Sequence, residues 1–390
     1  MFEEIKKELY EFASLSSLND EEVERLINSL YLKHYKGEKI DPIERENAVK
    51  SIFSSVRGLG ILDELLSDDS ISEIMINSFS DIYLERNGEI KKSEKCFENE
   101  KELMDVIQRI VGESGREVNL ASPIVDTRLK GGERVNVVLP PISLTGPIVT
   151  IRRFPKTRFT VDDLIAFGSV TPEAMKFLKK LVRHKYNIFI SGGTSSGKTT
   201  FLNVLTDYIP SDERLITVED SAELQVSLDS KNIIRMETRN ANTAGVGEIT
   251  MRDLIRTSLR MRPDRIIVGE VRGAEALDML NAMNTGHDGS ISTGHANSTV
   301  DMLYRLETMI LESGASFPLI ATRQHIASAI DIIVHLSKDG TGKRRVVEIS
   351  EIDGLKNGEI ALNPLFIYDS GKLVRTKNRL LHVEKMQLYE

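Results

Sequence analysis

The sequence of 390 residues is poor in cysteine and lacks tryptophan, with Cys96 as its one thiol. A single cysteine excludes a disulfide within the chain and a zinc site built from cysteines. No run approaches 18 consecutive apolar residues, so we predict no membrane-spanning helix. Residues 1–7 do not begin a basic segment followed by an apolar one, so we expect no signal peptide. These absences predict a cytoplasmic protein that reaches a membrane only through partners.

Acidic residues outnumber basic ones, so the formal net charge is -8 at pH 7. This balance argues against a protein that binds nucleic acid through bulk charge, although a local basic groove remains open. Hydrophobic residues make up 40% of the chain and charged residues 28%, as in an ordinary globular protein. The length is sufficient for two domains or three.

One strong motif is present, a glycine loop between a predicted strand and a predicted helix. Residues 188–191 are apolar and predict a buried strand, and residues 201–205 favour a helix. Between them stands the P-loop pattern Gly-x-x-x-x-Gly-Lys-Thr. The backbone N–H groups of such a loop hold a triphosphate, its lysine reaches the β- and γ-phosphates, and its threonine binds Mg²⁺. We therefore predict a site for ATP and Mg²⁺ at Gly192, Gly193, Thr194, Ser195, Ser196, Gly197, Lys198, Thr199 and Thr200.

The first part of the chain is predicted to hold two structured regions and a linker. Apolar residues at helical spacing predict a helical bundle in residues 1–58, with Asn19 or Asp20 as the cap of its second helix. Residues 59–153 contain strand patterns, a hairpin turn at Asn87-Gly88 and one amphipathic helix, which predicts an α+β domain. Pro155 and its basic neighbours predict a linker at residues 154–160.

Residues 161–390 alternate predicted helices with short apolar strands. This alternation is typical of an α/β fold in which helices cover a mostly parallel sheet. Two hairpins containing glycine are predicted near residues 338–343 and 351–362. The predicted strands are residues 188–190, 215–218, 266–268, 290–293 and 332–336.

Two of these strands end in carboxylates. One ends in Glu219 and Asp220, and the other in Gly269 and Glu270. Because open α/β sheets bind ligands at the carboxyl ends of their strands, we expect these carboxylates to face the phosphates. The second strand resembles a Walker B strand with glycine in place of the usual Mg²⁺-binding aspartate. We therefore assign metal binding to Thr199, Glu219 and Asp220, and we favour Glu270 over Glu219 as the base that orients water.

Histidines and arginines supply the remaining candidates. His287 and His295 flank one predicted strand, where an imidazole can hydrogen-bond a phosphate or a catalytic carboxylate. A zinc site is disfavoured, because no third ligand has a suitable spacing. A guanidinium from outside the P-loop can stabilise the charge that develops on the γ-phosphoryl group. The candidates for such an arginine finger or sensor are Arg128, Arg134, Arg152, Arg153, Arg260 and Arg272.

Together these motifs resemble those of the secretion (traffic) ATPases of type II and type IV secretion and of pilus assembly. That family has a Walker A motif, an acidic box, a glycine-glutamate Walker B motif and a histidine box, which correspond here to residues 191–200, 217–224, 259–272 and 285–298. Residues 125–128, 133–136 and 284–289 are similar to the CpaF branch, the ATPases of tight-adherence (Flp) pili. The four-cysteine zinc module of some other branches is absent.

The resemblance implies a RecA-like motor domain preceded by a PAS-like α+β domain and a helical bundle. It implies a homohexamer in which ATP lies between the two domains, near the next subunit. Hydrolysis would rotate the N-terminal domain and drive an inner-membrane platform that assembles pilin or secretes protein. Two alternatives remain: a DNA-uptake or DNA-transfer NTPase, which the acidic charge disfavours, and a small-molecule P-loop kinase, which leaves the first 150 residues unexplained.

Overall fold

The computed structural model of the protein describes residues 2–11, 18–35, 41–86, 88–153, 158–226, 232–241 and 245–389. These residues belong to two units, Met1–Lys156 and Thr157–Glu390. Asn87 of the predicted turn and residues 154–157 of the predicted linker lie outside the described residues. Within those residues, no helix combines the length and the apolar character needed to cross a membrane.

Three helices open the first unit, and side-chain caps define where two of them begin. The Asn19 side chain accepts a hydrogen bond from the Glu22 N–H, and Glu22 accepts one from the Asn19 N–H, each at 2.9 Å. Asp41 caps the third helix. Their buried apolar side chains form one shared cluster. The helices are α1 (Phe2–Glu11), α2 (Asp20–His34) and α3 (Pro42–Val56).

An antiparallel sheet of six strands, with one long helix packed on it, forms the rest of this unit. The elements are α4 (Ile61–Ser67), β1 (Ile71–Ser78), β2 (Asp81–Arg86), β3 (Glu89–Lys92), α5 (Glu100–Glu113), β4 (Ile124–Arg128), β5 (Arg134–Val138) and β6 (Ile148–Arg152). The strand order is β3-β2-β1-β6-β5-β4. Buried residues alternate with more exposed ones along β5 and β6, and the buried ones share a cluster with the apolar face of α5. The boundary between bundle and α+β domain stays a prediction.

The second unit is built on a sheet of nine strands with helices on both faces. Six strands run parallel in the order β12-β7-β11-β10-β8-β9, and β13, β14 and β15 continue the sheet antiparallel beyond β12. This confirms the predicted α/β fold. The elements are α6 (Val161–Ala166), α7 (Pro172–Arg183), β7 (Ile188–Gly192), α8 (Lys198–Thr206), β8 (Arg214–Glu219), β9 (Asn232–Glu237), α9 (Met251–Ser258), β10 (Arg265–Val268), α10 (Glu275–Asn284), β11 (Ile291–His295), α11 (Thr299–Glu312), α12 (Leu319–Ala329), β12 (Ile332–Lys338), β13 (Arg344–Lys356), β14 (Glu359–Asp369), β15 (Lys372–Arg375) and α13 (Glu384–Leu388).

The central strands are buried on both faces, which explains why they read as continuous apolar runs. In β7, Ile188 and Ile190 pack into the cluster that includes α7 and α8. Phe189 points to the other face and packs into the cluster formed with α9, α10, α11 and α12. Because the six parallel strands share one direction, their carboxyl ends meet at one edge of the sheet.

The last described residues of the chain pack against the opposite, amino-terminal edge of these strands. Lys385 Nζ donates hydrogen bonds of 2.7 Å to Asp288 Oδ1 and to Asp331 Oδ2. The Tyr186 hydroxyl donates to the carbonyl of His382 at 2.6 Å. Burial raises the pKa of Asp331, and the nearby Lys385 ammonium opposes that rise. Lys385 of the C-terminal segment therefore neutralises the charge of two carboxylates that are partly buried at this edge of the sheet.

Candidate functional site

The P-loop joins β7 to α8 at the carboxyl edge of the sheet. A Cβ at Gly192 would lie 2.5 Å from the carbonyl oxygen of Leu336, so no side chain fits there. Gly197 caps α8 in the left-handed region at φ +95°, and no side chain caps the helix. The first N–H groups of α8 are therefore left for an anion, which is the arrangement that phosphate-binding loops use.

Lys198 is the first residue of α8, and its ammonium group points back into the loop. It is 7% exposed, and its Nζ donates to the carbonyls of Gly192 and Gly193 at 3.1 Å each. The same Nζ lies 3.1 Å from His295 Nδ1. Burial lowers the pKa of Lys198, whereas the charge of Glu270 acts to raise it. The lysine thus links the loop to the end of β11.

Glu270, Arg272 and His295 form one cluster with Lys198. Glu270 Oε2 accepts hydrogen bonds from Arg272 Nη2 at 2.8 Å and Arg272 Nε at 3.1 Å. His295 Nε2 lies 2.7 Å from Glu270 Oε1, although the atoms are not aligned for a hydrogen bond. Burial and the Lys198 charge lower the pKa of His295, which favours a neutral ring at pH 7. Because Lys198 can only donate, Nδ1 accepts and the ring proton lies on Nε2, facing Glu270.

Glu219 and Asp220 end β8 farther from the P-loop than Glu270. In the strand order, β8 is the third neighbour of β7, a distance of about 14 Å at the usual strand spacing. Glu219 is 2% exposed, and its Oε2 accepts the N–H groups of Glu223 and Leu224 at 2.7 Å each. Its Oε1 is buried without a partner, and burial raises the pKa of Glu219 to about 7. The geometry thus brings Glu270, rather than Glu219, next to the lysine.

Gly269 has a steric role that the sequence did not reveal. A Cβ at this position would lie 3.1 Å from Glu219 Cγ, which is closer than most real Cβ contacts. An aspartate here, as in an ordinary Walker B strand, would displace Glu219. The glycine and the buried glutamate therefore form one packed arrangement.

The predicted metal ligands are only partly brought together. Thr199 is half-buried in the first turn of α8. Asp220 is exposed, accepts a hydrogen bond from Thr238 Oγ1 at 2.9 Å and lies 3.8 Å from Arg272 Nη1. Among the described residues, no three or more histidines, cysteines or carboxylates cluster as metal ligands. A Mg²⁺ ion held by phosphates, water and one or two protein oxygens does not need such a cluster.

His287 and Arg260 lie away from this site. His287 precedes β11 at the amino edge of the sheet, and its Nδ1 lies 3.2 Å from the carbonyl oxygen of Ala282. Arg260 is exposed and precedes β10 at the same edge. Since parallel strands carry the P-loop at their other edge, the structure does not bring these two predicted residues to it. The loop of residues 285–290 instead contacts the C-terminal segment through Asp288.

The four candidate arginines of the first unit fall into two kinds. Arg128, Arg134 and Arg152 are cross-strand partners along β4, β5 and β6, so they form one row on the sheet. Arg153 is 9% exposed and donates to the carbonyls of Asp68 and Ile71, close to the start of β1. Arg153 is thus engaged in the structure of its own unit.

Arg344 is a contact of the P-loop that sequence reasoning missed. Its Nε donates to the carbonyl of Ser195 at 2.8 Å from a position 149 residues later in the chain. Ser191, at the end of β7, is similarly paired with His335 Nδ1 at 2.8 Å. No local sequence signal marks either contact, because β12 and β13 become neighbours of the loop only in the folded sheet.

Known proteins resemble this chain in both sequence and fold. The family model "Type II/IV secretion system protein" matches residues 56–354. A Mycobacterium tuberculosis protein named as a candidate conjugal transfer protein is 34% identical over 303 residues, which is 76% of this chain and 85% of the relative. The type IV secretion system protein VirB11 of Brucella suis is 31% identical over 335 residues, 79% of this chain and 92% of the relative. The crystal structure of the pilus retraction motor PilT with bound ADP shares the fold at a TM-score of 0.55 and 20% identity, covering 85% of this chain and 86% of PilT.

Proposed function

The chain belongs to the type II/IV secretion system protein family, and we propose that it hydrolyses ATP to drive assembly of a Flp (tight-adherence) pilus or protein secretion. The observation that carries the proposal is the cluster of Lys198, His295, Glu270 and Arg272 beside the P-loop. The CpaF-like residues 125–128, 133–136 and 284–289 support the pilus branch.

In this proposal each side chain of the cluster has one task. The N–H groups at the start of α8 and the Lys198 ammonium bind the phosphates of ATP. Glu270 orients water, whose oxygen bonds to the γ-phosphorus while the bond from that phosphorus to the bridging oxygen breaks; the water's proton passes to Glu270. The Arg272 guanidinium fixes the Glu270 carboxylate in place, and neutral His295 lies 2.7 Å from the other carboxylate oxygen.

Mg²⁺ fits the oxygen ligands that the site offers. The Thr199 hydroxyl, in the first turn of α8, and the carboxylates of Glu219 and Asp220 are its candidate ligands. Within this set, Glu219 Oε1 is buried and has no hydrogen-bond partner, so it is the oxygen most in need of a cation. When bound, Mg²⁺ neutralises charge on the β- and γ-phosphoryl oxygens.

The proposed working form is a homohexamer that acts on inner-membrane platform proteins at the inner face of the cell membrane. Arg128, Arg134 and Arg152 of a neighbouring subunit would then stabilise charge on the γ-phosphoryl group. The proposed domains are the bundle at 1–58, the PAS-like α+β domain at 59–153, the linker at 154–160 and the RecA-like motor at 161–390. Zinc and bulk nucleic-acid binding play no part in this proposal.

Substrate transfer through a type IV secretion channel, including DNA, is the second candidate function. The specific observation in its favour is that the Mycobacterium tuberculosis relative is named for conjugal transfer. The net charge of -8 does not favour direct DNA binding. Turnover stimulated at least threefold by single-stranded DNA would favour this candidate over the pilus branch.

The test is steady-state ATP hydrolysis by the full chain, together with native mass spectrometry. We expect Lys198→Ala and Glu270→Gln each to lower kcat at least about 100-fold, because phosphate binding and water orientation are lost. Lys176→Ala removes an exposed lysine of α7 and should leave kcat unchanged. A Lys198→Ala variant with normal turnover, or an active wild-type monomer that never assembles, would refute the proposal.

A further inference from the structure

Side chains of α11 that have no role in the mechanism above line a cleft beside the P-loop. It has a volume of about 400 Å³ and lies between the P-loop residues Gly193 and Thr194, the end of β11 at His295, and one side of α11. Tyr304 and Arg305 of α11 also line it. Lys198 Nζ contacts the Gly193 carbonyl and lies against His295, so the cleft adjoins the end of the loop where the lysine reaches a γ-phosphate.

Arg305 gives this cleft a positive charge that no carboxylate among the described residues neutralises in an ion pair. The side chain is exposed, and within the described residues it makes no hydrogen bond or ion pair. Its charge acts on His295, where it helps to lower the pKa of the imidazole. The cleft contains one carboxylate, Asp301, which lies one helical turn before Arg305 and is not within ion-pair distance of it. An unpaired guanidinium in a polar cleft is a ready partner for an anion.

Hydroxyl and amide groups complete the lining. Tyr304 is 50% exposed, and Asn297 and Thr308 also border the cleft. Such groups hydrogen-bond a tetrahedral oxyanion from several sides. Together with the charge of Arg305, the lining therefore suits a small, doubly charged anion.

We propose that this cleft receives the orthophosphate released by ATP cleavage, with Arg305 as its principal ligand. The inference rests on the proposed ATPase function. Cleavage leaves ADP on the N–H groups of α8 and frees HPO₄²⁻ at the γ end of the loop. Glu270 and Arg272 occupy the side of β10, so the open side is the cleft that leads to Arg305. Orthophosphate moves there before it reaches solvent.

The experiment measures orthophosphate binding and product inhibition in the full chain. We expect Arg305→Ala to raise the inhibition constant for orthophosphate at least tenfold and to change kcat/KM for ATP by less than threefold. Arg305→Lys should give an intermediate value, because the charge remains and the paired N–H groups are lost. Arg183→Ala, an exposed arginine of α7 near the amino edge of the sheet, is the matched control and should match the wild type.

A measurement without turnover separates this inference from the proposed function. Broadening of the ³¹P resonance of orthophosphate, recorded with ADP present, reports binding even if the chain hydrolyses no ATP. If Arg305→Ala abolishes orthophosphate binding, the result supports the proposed phosphate site, whether or not the chain hydrolyses ATP. The inference is overturned if Arg305→Ala binds orthophosphate like the wild type, or if it loses ATP cleavage while its phosphate affinity is unchanged.

Discussion

Burial of the Glu219 carboxylate lowers the stability of the fold, and a substitution of this one residue can measure the effect. Burial raises its pKa from an ordinary 4.5 to about 7. The folded chain therefore binds a proton between these values that the unfolded chain has lost, so stability falls as the pH rises through this window. A shift of this size corresponds to about 3 kcal/mol at a pH above both values.

We predict that Glu219→Gln stabilises the protein at pH 8 by up to about 3 kcal/mol, because the amide cannot ionise and its oxygen can still accept the N–H groups of Glu223 and Leu224. The gain should fade as the pH falls to 5. Urea unfolding followed by circular dichroism at several pH values measures both. Glu248→Gln, at an exposed glutamate of the same unit, is the control, and an equal gain at pH 5 and pH 8 would contradict the prediction.

Residues at strand ends were the predictable part of the site. The sequence places Lys198, Glu270 and His295 just after apolar strands, and parallel strands carry such residues to one edge. The same reasoning fails for His287, because it precedes its strand and so lies at the other edge. The contact of Arg344 with Ser195 could not be predicted from local sequence, because the two residues are 149 positions apart and meet only in the folded sheet.

At the scale of elements, one ion-pair network joins two helices to a hairpin. Arg323 of α12 donates to Glu307 of α11 at 2.8 Å and to Glu359 of β14 at 2.6 Å. It also donates to the carbonyl of Gly358, in the turn between β13 and β14, at 2.8 Å. The side chains of Arg323 and Glu307 are only 14% and 11% exposed. Loss of one partner would leave the other charge buried.

We predict that Arg323→Met lowers the free energy of unfolding, because the Glu307 carboxylate stays buried without its partner. The double variant Arg323→Met with Glu307→Leu should recover part of this loss. Lys356→Met breaks a surface pair with Asp353 and should cost about 0.5 kcal/mol or less. Denaturant titration compares these three variants and the single variant Glu307→Leu, and a double variant as unstable as the sum of its single changes would count against a coupled pair.

Element prediction succeeded where burial made a strand continuously apolar. All five predicted strands of the α/β region are present, and both predicted hairpins occur. The edge strands β9 and β15 were missed, because each has few buried residues and a mixed pattern. An edge strand forms through backbone pairing with a neighbour, which the local sequence does not encode strongly.

At the scale of the whole molecule, the C-terminal segment ties distant parts of the second unit together. Lys385 reaches Asp288, before β11, and Asp331, before β12, at 2.7 Å each. Glu351 of β13 accepts the N–H groups of Leu381 and His382, so backbone hydrogen bonds hold the same segment. No local sequence pattern marks this closure, because the contacts join residues up to 200 positions apart.

We predict that Lys385→Met destabilises the protein by about 3 kcal/mol at pH 8, since buried Asp331 then loses its cation. The loss should shrink as the pH falls, because burial already raises the pKa of Asp331 and protonation removes the unpaired charge. Adding Asp331→Asn should remove most of this pH dependence. Thermal unfolding across pH 5 to 8 measures it, and a pH-independent loss would contradict the electrostatic explanation.

The position of Lys385 has a consequence for synthesis on the ribosome. The lysine is translated 54 residues after Asp331, whose carboxylate it neutralises. Chains fold from the N-terminus as they emerge, so the parallel strands are assembled while the amino edge still lacks its cation. Nascent chains stalled shortly after residue 375 should thus hold an incompletely closed sheet edge. The final step of folding in this unit then waits for the segment around Lys385 to leave the ribosome.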